Sequence, residues 1–197
     1  MIIPIELSDG TSTVADVEII GRGHDDLADN SGKAALTFFC KDLPNILRSM
    51  NELSSDEGGW EYSAMRTFMN GELYGSFSAE LKAAIAPVSK ISDGGSDNRT
   101  LVTTVDYCWA ASYDEVGFNN GNNNLSGQGQ LYTSVFSTNK ASRKKYIIDN
   151  TDTGGWWLRS SYYTTSTNTM FWRVQKSGAS YGDIPTGKFY VAFGFCI

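Results

Sequence analysis

Apolar residues in this chain follow two rhythms. In the N-terminal half, after two strand-like stretches, IIPIEL and VADVEIIG, joined by the turn SDGTS, they fall at helical spacing. KDLPNILRSM predicts a short helix with Pro44 in its first turn. In EYSAMRTFMNG, Ser63 is placed to cap a helix and Met65, Phe68 and Met69 share one face. Asn70-Gly71 is the expected stop. Ser78 opens a second helix in AELKAAIA, with Leu81, Ala84 and Ile85 on one side and Pro87 ending it.

Beyond Pro87 the pattern becomes that of strands. VSKIS and LVTTVDYCWAAS flank the polar loop DGGSDNR, and GFNNGNNNLSGQGQ, without periodicity, predicts a long loop. WWLRS, MFWRVQ and FYVAFGFCI predict three more strands. In the last, Phe189, Val191, Phe193, Phe195 and Ile197 alternate onto one face and Tyr190, Ala192, Gly194 and Cys196 onto the other, which suits a strand covered on both sides. In WWLRS the two tryptophans point to opposite faces, and Arg159 is expected to serve an internal ion pair or carbonyl. MFWRVQ sets Met170, Trp172 and Val174 against Phe171, Arg173 and Gln175, so Arg173 and Gln175 are outward candidates. Between these strands lies YYTTSTNT, a polar, tyrosine-bearing run with no apolar period.

Composition narrows the chemistry. With 197 residues, 20 glycines and only 19% charged residues, the chain suits one loop-rich domain spanning 1–197. Its net charge of −6 disfavours nucleic acid, and the one basic cluster, Arg143, Lys144 and Lys145, reads as a solvated turn. Three separated cysteines, Cys40, Cys108 and Cys196, have apolar neighbours and suit buried free thiols rather than a disulfide framework or a zinc site. The start, MIIPIELSDG, does not fit a signal peptide, and no window is apolar enough for a membrane span, so synthesis in a reducing cytoplasm is expected. A single histidine, His24 in GHDDLADN, sits beside Asp25 and Asp26. A loop-bracing cluster is the simpler use for these three than a metal site. No phosphate-binding glycine motif and no nucleophile elbow occur, and the Asp-rich loops lack EF-hand spacing. These absences lead to the expectation of no catalytic residues, no metal and no cofactor.

Three blocks carry a resemblance: GGWEYSAMRTFMNGELYGSFSAELKAAIAPVSK, then GGWWLRSS, then the ending VAFGFCI. Their order resembles a family of bacterial and phage domains related to the C-type lectin fold. That resemblance implies an α+β, C-type-lectin-like fold, two short helices packed on a small antiparallel sheet with long loops. Its helical part would cover about 41–86 and its ligand-binding part about 155–197. The lectin calcium motifs EPN, QPD and WND do not occur. The C-terminal part also resembles the variable proteins diversified by retroelements, in which selected positions of such a domain are randomised. The resemblance places the ligand surface at Tyr162, Tyr163, Thr164, Thr165, Thr167, Asn168, Tyr181, Asp183 and Thr186, with Arg173 and Gln175 beside them. Tyrosine supplies stiff contact area at low entropy cost, and Ser, Thr and Asn supply adaptable hydrogen bonds, as in antibody loops. The expected function is recognition by a phage or prophage protein of a bacterial cell-surface protein or glycan, displayed on a virion or cell surface. Neither nucleic-acid binding nor membrane insertion is expected, and homo-oligomerisation stays open. A structural assembly component, or a formylglycine-type oxidase using Cys108 and Cys196, are the alternatives.

Overall fold

A computed structural model describes residues 1–96, 98–118, 125–149, 151–163 and 169–197. The chain is mostly β, with 36% of residues in strands and 12% in helix. β1 (Ile2–Glu6), β2 (Ser12–Arg22), β3 (Leu36–Cys40) and β13 (Gly194–Cys196) form one sheet in the order β1-β2-β3-β13. A second sheet has the order β11-β10-β9-β12-β4, built from β4 (Leu47–Arg48), β9 (Trp156–Tyr162), β10 (Met170–Val174), β11 (Ser180–Asp183) and β12 (Phe189–Tyr190). Two antiparallel pairs complete the β structure. One joins β5 (Val88–Asp93) to β6 (Leu101–Asp106), the other β7 (Lys145–Tyr146) to β8 (Thr153–Gly154).

This corrects the expected α+β, C-type-lectin-like fold. The helices, α1 (Ala64–Phe68) and α2 (Ala79–Ala84), are too short to form a layer on a sheet, and α2 contains no buried residue. The bulk of the core comes from strand and loop aromatics. Trp60, Trp109, Trp156, Phe39, Phe136 and Phe193 are wholly enclosed, with the Phe39 ring 5.9 Å from both Trp109 and Trp156.

Local signals worked where they were self-contained. Ser63 caps α1 by accepting from the Arg66 N–H, Ser78 caps α2 through the Leu81 N–H, and Met65, Phe68 and Met69 are buried. They failed where tertiary partners competed. KDLPNILRSM forms no helix: the Ile46 carbonyl accepts from Val191, and Leu47 and Arg48 pair with β12. Asn70-Gly71 does not stop the first helix, which runs on through a π-helical stretch, Met69–Leu73. Asn70 instead receives the Tyr107 and Cys108 N–H groups and donates to Asp106 and the Cys108 carbonyl. FYVAFGFCI is not one strand but two, β12 and β13, in different sheets. Between them Val191 donates to Ile46 and the Phe193 carbonyl accepts from Cys40. Gly194 then passes so close to Trp109 that a Cβ there would meet the indole at 2.6 Å.

The basic cluster is also not the solvated turn its sequence suggests. Arg143 is buried and donates to the carbonyls of Gly178, Val116 and Ser137. Lys145 is buried against the Cys40 and Lys41 carbonyls, and burial pushes its pKa down to about 8. Only Lys144 of the three is exposed. The cysteines are free and buried, as their neighbours imply.

The residues of the GGW block converge on one carboxylate. Asp106, wholly buried, accepts from the Trp60 indole at 3.0 Å, Arg66 Nε at 2.6 Å, Asn70 at 3.1 Å and Thr104 at 2.7 Å. Removing it leaves four donors facing an empty site. Asp106→Ala is therefore expected to lower unfolding free energy by about 3 kcal/mol or more, read as a fall in the denaturant midpoint with an unchanged slope.

Candidate functional site

The conspicuous chemistry of the chain lies inside it. Arg159, on β9, makes a two-pronged ion pair with Glu115, at 2.5 and 2.9 Å. Glu115 also meets Lys90 Nζ at 2.8 Å, and Lys90, on β5, reaches Asp25 at 2.7 Å and the Tyr132 hydroxyl at 3.0 Å. The same ammonium sits 3.6 Å over the Trp109 ring. Each of the four carboxylate oxygens has a partner. Asp25 Oδ1 takes Lys90 and Tyr132, and Oδ2 takes Thr37. Glu115 Oε1 takes Lys90 and Arg159, and Oε2 takes Arg159 and the Ser112 N–H. Burial pushes both carboxyls up, but the facing cations outweigh it: Lys90 holds Asp25 far below the usual range, and Arg159 with Lys90 holds Glu115 below it. Two anions and two cations cancel and every carboxylate oxygen has a partner, so this cluster ties together the elements that carry it.

Sequence reasoning placed Arg159 correctly as an internal ion-pair partner and missed the rest of the cluster. Lys90 and Glu115 lie 25 positions apart on stretches with no shared period. The expected His24-Asp25-Asp26 cluster is kept in part: His24 Nδ1 lies 3.5 Å from Asp25 and its ring stacks on Tyr132 at 4.2 Å, while Lys33 braces the loop from the surface by donating to the His24 carbonyl and to Asp26 at 2.7 Å.

The described residues among those singled out for ligand binding lie on the five-stranded sheet and its loops, but not on one face. Tyr162 lies half-buried with Met170, Trp172 and Gly182, its ring 4.4 Å from Trp172. Arg173, Tyr181 and Asp183 share the opposite face. Arg173 Nε donates to Asp183 at 2.8 Å, and its guanidinium lies over Phe189 at 4.1 Å and Tyr181 at 5.0 Å. Phe171, which alternation puts in one set with Arg173 and Gln175, is wholly buried; β9 and β10 slip register between Phe171 and Arg173. Gln175 is half-buried and its N–H closes a turn on Ala179. Tyr163, Tyr181 and Thr186 are exposed. Thr164, Thr165, Thr167 and Asn168 lie outside the described residues.

One further group adjoins this surface. Arg99 lies 4.7 Å over the Tyr163 ring and reaches Asp93 at 2.6 Å. Asp93 is buried and also accepts from the Gly95 N–H, while the nearby Asp56 accepts from Ser96. The loops carrying them interlock backbone to backbone: a Cβ on Gly59 would sit 2.1 Å from the Asp93 carbonyl, and one on Gly95 the same distance from that of Asp56. Burial pushes the Asp93 pKa up to about 6; Arg99 and Gly95 oppose the rise and Asp56 adds to it. Burial raises Asp56 as well.

Two outcomes follow from these carboxylates. Arg159→Met leaves the buried cluster one cation short, with Glu115 and Asp25 sharing Lys90, and is expected to cost about 3–5 kcal/mol in chemical unfolding, with a large part recovered in the Arg159→Met/Glu115→Leu pair. The second concerns pH. A carboxyl harder to ionise when folded binds its proton more tightly in the folded chain, so Asp93 adds stability as pH falls through 6. Asp25 and Glu115 are easier to ionise when folded, so their contribution is present above the ordinary carboxylate range and is lost below it. The thermal midpoint should therefore rise from neutral pH to about 5 and fall below about 4. In Asp93→Asn the rise should shrink while the fall remains.

No helix among the described residues is long and apolar enough to cross a membrane. Comparison with curated proteins finds no match, and comparison with solved structures finds none either. One family does match, over residues 37–190, most of the chain. That span takes in the GGW block with its Asp106 partner, the Lys90–Glu115–Arg159 network and the tyrosine-bearing strands, and by it the protein belongs to the family described as Domain of unknown function (DUF6273).

Proposed function

We propose that this chain is a non-enzymatic recognition protein whose ligand surface is carried by β9, β10, β11 and the loops they hold. The observation that carries this is a contrast within one sheet. Trp156, Trp157, Arg159, Phe171 and Trp172 are buried, while Tyr163, Tyr181 and Ile184 on the same strands and loops are exposed. Tyrosines standing on such a frame lose little freedom when they bind, which lowers the ordering penalty of association. Two interior carboxylates, Asp25 and Glu115, are locked in ion pairs, which supports binding over catalysis at that cluster. The partner is a bacterial cell-surface protein or glycan. The proposed source is a phage or prophage, with display on a virion or cell surface and the exposed positions diversified between copies.

The test is labelled protein binding to a panel of intact bacterial cells, scored by flow cytometry, with Tyr163→Ala/Tyr181→Ala beside the wild type. Binding to at least one strain, weakened about tenfold or more in the double variant, is expected. Equal binding by both proteins sinks the assignment of the surface. Genes from related isolates should differ at Tyr162–Asn168 and Tyr181–Gly187 and agree at Trp156, Arg159 and Trp172. Differences spread evenly would remove the diversified-surface part.

A further inference from the structure

The two most exposed large hydrophobic residues among those described are not on the tyrosine-bearing strands. They are Leu53 and Tyr62, each 76% exposed against 57% for the next, Ile2. Both line one groove of about 590 Å³, together with Asn51, Glu52, Ser55 and Glu57. Exposed aromatic and aliphatic side chains gathered in one concavity mark an interaction site rather than scattered surface residues.

The groove is pre-shaped. Asn51 clamps its wall, accepting from the Ala64 N–H at 2.9 Å and donating to the Ser55 carbonyl at 2.6 Å. Gly58 has φ of +73°, and a Cβ there would meet the Tyr62 ring at 2.3 Å, so only glycine lets the tyrosine lie where it does. The groove is also tied to both C-terminal segments of the proposed surface. Thr169, at the end of the polar run, donates to the Ser54 carbonyl at 2.6 Å. The Pro185 carbonyl, in the loop after β11, accepts from the Met50 and Asn51 N–H groups at 2.8 and 3.2 Å.

Its charge is one-sided. Glu52 and Glu57 are exposed, neither has an ion-pair partner among the described residues, and no Lys or Arg lines the groove. A neutral sugar can donate hydroxyls to these carboxylates but leaves both charges uncompensated, and the aliphatic Leu53 adds no flat platform beside Tyr62. A segment with alternating basic and apolar side chains answers both features.

We propose that this groove docks a cationic, amphipathic peptide segment of a partner protein. Its Lys or Arg groups meet Glu52 and Glu57, and an apolar side chain packs on Leu53 and Tyr62. The proposal deepens the recognition function above, rests on it, and names the partner as protein rather than glycan.

The test is an amide chemical-shift titration of the whole isotopically labelled chain. Three probes are used: the capped hexapeptide KLKYKL, its acidic counterpart ELEYEL, and a neutral N-acetylglucosamine hexasaccharide. Saturable shifts at residues 51–62 with KLKYKL alone are expected, weakening with added salt. Tyr62→Ala, a surface change that leaves the fold intact, should weaken binding about tenfold. Glu52→Gln/Glu57→Gln should weaken it and remove most of the salt dependence. No saturable shift at 51–62 with KLKYKL, shifts there with the hexasaccharide, or binding indifferent to Tyr62→Ala each overturn the proposal. Cell binding lost in Tyr163→Ala/Tyr181→Ala but intact in Tyr62→Ala overturns the groove alone. Indifference of cell binding to all of these variants overturns the recognition surface itself.

Discussion

Arg159 has no access to water, and its surroundings are arranged to answer its five N–H groups. Glu115 takes two of them, the carbonyls of Ala110 and Gln128 take two more, and the Ile91 carbonyl takes the fifth, from Nε, and shares an Nη2 hydrogen with the other acceptors. These acceptors come from β5, from the turn after Trp109 and from the loop before Tyr132. One guanidinium thus binds the β5–β6 hairpin and two irregular segments to β9. Taking such an ion out of water costs several kcal/mol, which its pairing largely offsets. The gain is in definition: slipping β9 by one residue would bury the charge among aromatic rings with no partner. Lys90 extends the same logic to Asp25 and so to the N-terminal sheet.

With those segments held, the aromatic side chains have fixed places. Trp109 stacks on Tyr132 and Phe39, Phe39 lies against Trp156, and the Lys90 ammonium closes on the face of Trp109. The same strand that carries Arg159 and Trp156 inward ends at Tyr162 and releases Tyr163 to the surface. Stiffness and display are therefore adjacent on one strand. Asp106 performs the equivalent service for the GGW block, fixing α1 and with it the wall of the acidic groove that Asn51 and Gly58 shape.

Motif and function separate in an instructive way here. The residues that make the blocks recognisable are spent inside the fold: Trp60, Ser63, Arg66, Asn70 and Arg159 on a cap and buried polar networks, Trp156 on the aromatic core. Of the side chains the proposed recognition uses, Leu53, Tyr163 and Tyr181 lie between or beside those blocks, and Tyr62 stands exposed within the first. Spacing along the chain could mark the former as special without showing that their partners are Asp106 and Glu115. The latter carry no period at all, so only their exposure distinguishes them.

What the chain determined by itself were events closed within a few residues. The caps at Ser63 and Ser78, the apolar face of Met65, Phe68 and Met69, and strands at IIPIEL, VADVEIIG, VSKIS and MFWRVQ all depend on neighbours in sequence, so a local rule reaches them. Tertiary structure decided whatever turned on a distant partner. Backbone groups near Ile46 were claimed by Val191, which made a strand of a helical pattern. Trp109 at Gly194 and the crossing between sheets cut FYVAFGFCI in two. Arg143 and Lys145, polar in any window, were drawn inside by carbonyls far along the chain. Each was settled by long-range competition for hydrogen bonds and space, which no window of sequence contains.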